Sequence, residues 1–231
     1  MASITVSSPA RGSLPRQLAQ RLEVRMLALA LLIGLCLSFM SPYFLTHSNI
    51  FNMLDQSVVI GIVSVGMTFV ILTGGIDLSV GSVAGLTGII LGLSLQHMPI
   101  VPAIAVAVAA GAGIGLVSGL LINVFGLASF VVTLGVMAIG RSLAYILSGQ
   151  TAISNIPEAM QAIVYTNILG IPSNVLFLVV LYIVAWAYLT YTKGGRTIYA
   201  VGSNKEAARA AGLNTLFYSV VPYVLSGALS A

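Results

Sequence analysis

The segment IVPAIAVAVAAGAGIGLVSGLLI, Ile100–Ile122, contains no charged residue over its 23 positions. A helix of about 20 apolar residues is long enough to cross the hydrocarbon core of a bilayer. The segment also lacks the alternation of polar and apolar residues that a strand of a membrane barrel would show. Because backbone groups in lipid must be satisfied within a helix or a closed barrel, the segment predicts a transmembrane helix.

Apolar runs of similar character recur along the whole chain. Of its 231 residues 58% are hydrophobic and only 6% are charged, against about 25% charged residues in soluble domains. We therefore expect an all-α polytopic bundle of about seven spans in a lipid bilayer, with the last span incomplete and the chain truncated at its C-terminus. The other candidate spans are Met26–Leu45, Met53–Thr73, Leu78–Leu95, Ser129–Leu147, Val175–Tyr191 and the residues from Leu216 onward.

The basic residues lie beside these spans, which is typical of topology signals and not of a nucleic-acid-binding surface. We divide the chain into a basic N-terminal tail, residues 1–25, and a membrane domain, residues 26–231. The tail and the loop 193–214 are both basic and are predicted to be cytoplasmic, which leaves residues 151–173 on the outer side. The basic residues of these two segments are Arg11, Arg16, Arg21, Arg25, Lys193, Arg196, Lys205 and Arg209.

The segment ILTGGIDLSVGS, Ile71–Ser82, is the most unusual one in the membrane domain. The paired glycines Gly74 and Gly75 interrupt the apolar pattern, and Asp77 and Ser79 follow. A carboxylate at membrane depth costs several kcal/mol unless it reaches water, a partner or helix N-terminal amides. Two interpretations stay open: a tight cytoplasmic turn with an aspartate cap, or a re-entrant corner beside a translocation path.

Other polar residues of the spans have packing as their default role. Asn123, Ser129 and Thr133 are predicted to hydrogen-bond between helices or to line a path. Arg141 needs a partner, a wet cavity or an interface; Asp77 is one conceivable partner, and snorkelling is the preferred alternative. Glycines at small-xxx-small spacing predict close helix contacts, and they are Gly81, Gly85, Gly88, Gly92, Gly111, Gly115 and Gly119.

The loop 193–214 predicts one short helix. Ser203 and Glu206 fit a capping box, Asn204 is an alternative cap, and Gly212 suits a left-handed stop. About eight helical residues are marginal alone in water, so this helix must dock on something. Its alanines allow close approach and its charges can complement a partner; these residues are Lys205, Glu206, Ala207, Ala208, Arg209, Ala210 and Ala211.

No motif of an enzyme is present. The sequence contains no GxxxxGK[ST] loop, no HExxH and no GxSxG elbow. We expect no cofactor and no metal in this chain, since His47 and His97 stand far from acidic pairs and Cys36 is the only cysteine. If ATP drives transport, another subunit must bind it.

Three segments together resemble the permease subunits of binding-protein-dependent ABC importers for monosaccharides, the ribose, xylose and galactose class. They are GMTFVILTGGIDLSVGSV (Gly66–Val83), FVVTLGVMAIGRSLA (Phe130–Ala144) and GRTIYAVGSNKEAARAAGLN (Gly195–Asn214). The resemblance implies a multi-pass permease of the bacterial inner membrane. Its implied partners are a second permease copy, a periplasmic sugar-binding protein and a cytoplasmic ATP-binding subunit.

The resemblance also assigns expected roles to residues. It implies that the inner loop forms a coupling helix against the ATPase, with Gly202, Asn204 and Gly212 beside Lys205 to Arg209. The expected path or helix-break residues are Gly74, Gly75, Asp77, Ser79, Asn123, Phe130 and Thr133. The chain departs from the family pattern at Ala128 and Ser129, where prolines are common, and in ending at Ala231. The alternative class is an ion-gradient-driven secondary transporter of a small polar solute, in which broken helices also occur.

Overall fold

The computed structural model describes residues 22–153, 156–168 and 170–231. The chain divides into two compact units, Met1–Met53 and Leu54–Ala231. Most of the predicted N-terminal tail, with Arg11, Arg16 and Arg21, lies outside the described residues.

Helices make up nearly all of the described chain. The first unit contains α1, Leu22–Met40, and the beginning of α2, His47–Leu72. The second unit continues α2, and its residues 167–168 and 171–172 form a two-stranded antiparallel hairpin in which Ile168 pairs with Ile171. Its further elements are α3 (Val80–Ser94), α4 (Ile100–Asn123), α5 (Ser129–Ser148), α6 (Glu158–Tyr165), β1 (Asn167–Ile168), β2 (Ile171–Pro172), α7 (Ser173–Tyr191), α8 (Lys193–Ser203), α9 (Lys205–Ala210) and α10 (Thr215–Ser230).

The all-α membrane bundle is confirmed in the described residues. Four helices, α2, α4, α5 and α7, are long and apolar enough to cross a membrane. Shorter apolar helices are α3, α10 and the segment Val24–Met40 within α1. Each of the seven predicted spans therefore corresponds to an apolar helix, although α3 is only 15 residues long because the chain leaves the helical conformation before it.

Close backbone contact joins α4 to α10. A Cβ added at Gly115 would collide with the carbonyl of Tyr223, and one added at Gly111 would collide with the carbonyl of Gly227. Gly119 lies against Val220 at the same interface. The small-residue spacing on α4 is thus used as predicted, since only glycine lets the two backbones approach this closely.

The expectation of close contacts between helices is wrong for the glycines of α3 within this chain. Nothing lies within 4 Å of a Cβ added at Gly81, Gly85 or Gly88, and all three are exposed. Gly92 contacts the side chain of Ile153 in a loop. The spacing on α3 therefore forms an open surface and not a contact between two helices of this chain.

The relative directions of helices in the second unit agree with the prediction that successive spans cross the membrane in opposite directions. The Asn174 side-chain amide donates to Asp55 Oδ1 at 2.7 Å, which joins the beginnings of α7 and the second-unit part of α2. The rings of Phe69 and Tyr188 lie 6.0 Å apart near the other ends. These helices run parallel. In contrast, Gly111, Gly115 and Gly119 of α4 meet Gly227, Tyr223 and Val220 of α10 in turn, so these two helices are antiparallel.

The loop 193–214 contains one helix that the sequence analysis missed. Residues Lys193–Ser203 form α8, with Thr197, Ile198 and Val201 buried on one face. Ile198 packs into a core cluster with Val65 and Phe69 of α2. The paired glycines at 194 and 195 concealed this amphipathic pattern, yet Gly195 is required there because a Cβ would strike the backbone of Leu189.

Candidate functional site

Helix α2 ends at the paired glycines. Gly74 adopts a φ of +79°, the left-handed conformation that glycine tolerates best. The Gly75 amide donates to the carbonyl of Val70 at 3.0 Å, and the Gly74 amide donates to that of Ile71 at 2.9 Å. This pair of bonds is a Schellman motif, which satisfies the last carbonyls of the helix. Helical structure resumes only at Val80.

Asp77 lies in this broken segment and is buried, with 4% of its surface exposed. Its Oδ1 accepts from the Ser79 amide at 3.0 Å and from the Ser79 hydroxyl at 2.6 Å. Its Oδ2 accepts from the Ser226 hydroxyl of α10 at 2.8 Å. Three donors thus compensate a carboxylate that would be costly to bury alone. Ser79 is the residue from which α3 begins, so the carboxylate also faces the positive end of that helix.

The position of Asp77 along the bundle follows from its partner on α10. Ser226 stands eleven residues after Thr215, the first residue of α10, which is about 16 Å along a helix axis. Its neighbour Gly227 contacts Gly111, near the middle of α4. Asp77 therefore lies deep within the bundle. This depth favours the re-entrant corner over a tight turn at the inner face.

A tyrosine of α10 fills the space beside the break. Tyr223 is 2% exposed, and its hydroxyl is so close to Gly75 that an added Cβ would collide with it. The hydroxyl lies beside the Ser129 side chain and the Ile76 backbone, yet it makes no hydrogen bond of ordinary geometry among the described residues. An unmade hydrogen bond of a buried hydroxyl costs about 1–3 kcal/mol.

Helix α5 begins next to the same segment. The Thr133 hydroxyl donates to the Ser129 carbonyl at 2.9 Å and approaches the Ile76 carbonyl at 3.5 Å. Thr133 is fully buried, so its role in this chain is helix packing. Phe130 is 52% exposed and does not join the group around Asp77.

A polar cleft of about 210 Å³ separates the end of α2 from α4 and α10. At its opening the Lys205 ammonium donates to Asn123 Oδ1 at 2.9 Å. The Asn123 amide donates in turn to the carbonyls of Gly119, at 2.9 Å, and Ser219, at 3.2 Å. The lining residues are Thr73, Gly74, Gly75, Ile122, Asn123, Ser129, Lys205, Ser219 and Tyr223.

The ammonium of Lys205 is partly shielded from water. Burial lowers the pKa of Lys205, and the nearby charge of Arg209 lowers that pKa further. A hydrogen bond to the charged form of a lysine favours that form and offsets part of the cost of its burial. Asn123 Oδ1 supplies that acceptor.

The coupling-helix candidate is α9. Of the two predicted caps, Asn204 is the one used: its Oδ1 accepts from the Ala207 amide at 2.9 Å, while Ser203 is the last residue of α8. Gly212 has a φ of +79° and forms the predicted left-handed stop. Gly202 presses against the carbonyl of Leu72.

The two faces of α9 differ in exposure. Ala208 is buried against the rest of the chain, with 5% of its surface exposed, so it is not part of a free docking face. Glu206, Ala207, Arg209 and Ala210 are exposed. The helix thus rests on its own bundle through Ala208 and Lys205, and its opposite face is open.

Arg141 does not pair with Asp77, whose oxygens accept from Ser79 and Ser226. It lies instead in a groove of about 290 Å³ between α3 and α5. The groove is lined by Gly81, Ser82, Gly85, Ile89, Arg141, Ala144, Tyr145 and Ser148.

Sequence reasoning missed Tyr223, Ser226 and Ser219, which supply the α10 side of the site. In chain order Ser219, Tyr223 and Ser226 stand at positions i, i+4 and i+7, which lie on one face of a helix. That spacing was visible, but nothing local linked it to Asp77, which is 149 residues away from Ser226. Among the described residues, no cluster of three histidine, cysteine or acidic side chains that could hold a metal is present.

The sequence family described as branched-chain amino acid transport system / permease component matches residues 49–231. The ribose import permease protein RbsC of Escherichia coli K12 is 36% identical over 214 residues, which cover 89% of this chain and 65% of that protein. The D-allose transport system permease protein AlsC of the same strain is 33% identical over 201 residues, covering 86% of this chain and 62% of that protein.

A third relative is the fructose import permease protein FruG of Bifidobacterium longum. It is 30% identical over 207 residues, covering 84% of this chain and 58% of that protein. The chain spans less than two thirds of the length of these curated relatives, from 58% of the fructose permease to 65% of the ribose permease. No solved structure matches the chain.

Proposed function

The chain belongs to the permease family described as branched-chain amino acid transport system / permease component, and on this premise we propose that it is the membrane-spanning subunit of an ABC importer for a monosaccharide. The family is one of transport permeases and not of enzymes, so ATP hydrolysis is assigned to a separate subunit. The observation that carries the proposal is the similarity of 89% of the chain to a ribose import permease. Allose and fructose permeases are similar too, so the substrate class is a pentose or hexose.

The alternative of an ion-gradient-driven transporter finds no support in the relatives, which are import permeases. The site gives a second argument against it. A coupling-ion site needs carboxylates that can bind and release a cation. Asp77 is buried and has both oxygens occupied by hydroxyl and amide donors. We therefore assign Asp77 to holding the broken helix together.

The wall of the sugar path is proposed to be the groove between α3 and α5. Arg141 lies there, seven residues or about 10 Å before the end of α5. A charged side chain at that depth is stable beside water, beside a partner or where it can snorkel to the interface, and the groove allows the first two. The open glycine surface of α3 adjoins this groove, and we propose that a second permease copy closes it from the other side.

The exposed face of α9 is proposed to dock on the ATP-binding subunit. It carries both a carboxylate and a guanidinium, Glu206 and Arg209, beside the small side chain of Ala207. A six-residue helix is too short to be stable alone. The helix is fixed to the rest of the chain by the Asn204 cap, the Gly212 stop and the buried Ala208. A partner that pushes on its exposed face therefore moves the chain and does not unfold the helix.

The experiment is ATP hydrolysis by the complex of the permease, its ATPase and its periplasmic binding protein in proteoliposomes. Ribose, allose and fructose are each added with the binding protein, and leucine serves as the matched control because the family description names branched-chain amino acids. We expect at least one sugar to raise the rate several-fold and leucine to leave it unchanged. Stimulation by leucine and by none of the sugars would overturn the substrate class.

A further inference from the structure

We propose that the hydrogen bond between Lys205 and Asn123 is the contact through which movement of the inner loop reaches the broken helix. The inference rests on the proposed function and names the positioning residues that the coupling helix acts on. Its basis is a continuous set of contacts from α9 to Asp77, each of which involves described residues.

The inner loop touches both sides of the polar cleft. On one side Gly202 of α8 packs against the backbone of Leu72 and Thr73, with an added Cβ placed 3.3 Å from the Thr73 Cα. On the other side Lys205 of α9 donates to Asn123 at 2.9 Å. Asn204 ends α8 and caps α9, so the two contacts are only three residues apart. A shift of this short segment changes the width of the cleft.

Asn123 of α4 connects α9 to α10 by hydrogen bonds. Its amide group is fully engaged, since Oδ1 accepts from Lys205 while Nδ2 donates to the Ser219 and Gly119 carbonyls. The glycine-mediated packing of α4 on α10 allows little sliding, because backbone meets backbone at Gly111 and Gly115. A displacement at Asn123 therefore moves α4 and α10 as one body.

Helix α10 connects Asn123 to the helix break at Asp77. Ser219, Tyr223 and Ser226 follow one another on one face, and they meet Asn123, Gly75 and Asp77 in turn. Ser219 and Ser226 are seven residues apart, about 10 Å along the axis. The Tyr223 hydroxyl is buried beside Gly75, so movement of α10 acts directly on the broken segment.

Two single variants remove the contact without changing side-chain length greatly: Lys205→Met and Asn123→Leu. The matched control is Lys193→Met, which makes the same chemical change at an exposed position of α8. Lys205→Arg keeps a donor and serves as the conservative variant. The readout is the ratio of sugar-stimulated to basal ATP hydrolysis by the full complex in proteoliposomes, with assembly of the complex verified by gel filtration.

We expect Lys205→Met and Asn123→Leu to lower that ratio about twofold or more at normal assembly, toward the value of 1 that means no stimulation by sugar. The double variant should lose no more than Asn123→Leu alone, since that variant already removes the bond that Lys205→Met removes. Lys205→Arg should recover most of the ratio and Lys193→Met should keep it. A wild-type ratio in both single variants, or additive losses in the double variant, would overturn the inference. Absence of sugar stimulation in the wild-type complex would contradict the proposed function instead.

Discussion

The hydroxyl of Ser226 donates to Oδ2 of Asp77 at 2.8 Å and joins α10 to the break between α2 and α3. The bond links residues 149 positions apart, and both partners are buried. A hydrogen bond to a charged acceptor contributes about 1.5–3 kcal/mol. This single contact therefore has a measurable share in holding the broken segment.

Replacing Ser226 by alanine should lower the stability of the second unit. The expected loss is about 1.5–3 kcal/mol, because the variant leaves one oxygen of a buried carboxylate with no donor. The control is Ser230→Ala, since the Ser230 hydroxyl donates only to the Ser226 carbonyl of its own helix. Thermal unfolding of the purified permease in detergent should give a clearly lower midpoint for Ser226→Ala. Equal midpoints would show that the Asp77 bond adds nothing to stability.

Adding one methyl group at Gly115, on the side of α4 that faces α10, should separate the two helices. Gly115→Ala places a Cβ against the Tyr223 carbonyl, 2.8 Å from the carbonyl carbon, and overpacking of this kind costs about 1–3 kcal/mol. Gly113→Ala is the matched control, because nothing lies within 4 Å of its Cβ and alanine favours helix by up to about 1 kcal/mol. The unfolding midpoint should fall for Gly115→Ala and stay or rise for Gly113→Ala. The same midpoint in both variants would contradict the packing described for α4.

A bulky side chain on the exposed face of α9 should block the ATPase. Ala207→Trp is expected to reduce binding of the ATPase to the permease at least tenfold while unfolding stays normal, since Ala207 is exposed. Ala208→Trp has a different expected outcome: Ala208 is buried in the chain itself, so the variant should unfold earlier. Pull-down of the ATPase and thermal unfolding separate the two effects. Normal ATPase binding by Ala207→Trp would remove the docking role of this face.

Cysteine labelling tests the predicted topology. In a Cys36→Ser background, Thr151→Cys should react with a membrane-impermeant maleimide in intact cells. Arg196→Cys should react only after the membrane is opened. Both positions are exposed. Asn155, another position of the predicted outer loop, lies outside the described residues. The reverse pattern would mean that the basic inner segments face the periplasm.

The hydropathy of the chain was enough to predict the bundle, because each helix must satisfy its own backbone in lipid. The break at Gly74 was predictable for a local reason: paired glycines and a following aspartate carry the signal within four positions. The α4 contact was predictable from the glycine spacing, although the identical spacing on α3 leads to an open surface. The spacing of small residues shows that a helix can be approached closely. It does not show whether the approaching helix belongs to the same chain.

The contacts that complete the site could not be predicted from sequence. The partners of Asp77 and Asn123 on α10 are 149 and 96 residues away, and serines at helical spacing are common in membrane helices. The pairing of Lys205 with Asn123 joins a loop to a span 82 residues earlier. Such contacts depend on how the helices are arranged, which local patterns do not specify.

We propose that ATP hydrolysis by a partner drives a monosaccharide through this permease, and uptake by proteoliposomes measures this transport. The complete complex is reconstituted with ATP on the ATPase side, and radiolabelled ribose, allose or fructose is supplied with the binding protein on the other. We expect a sugar to accumulate inside the vesicles. Its accumulation should require ATP and the binding protein and should persist when ionophores dissipate every ion gradient. Uptake that needs a proton or sodium gradient and proceeds without ATP would contradict it.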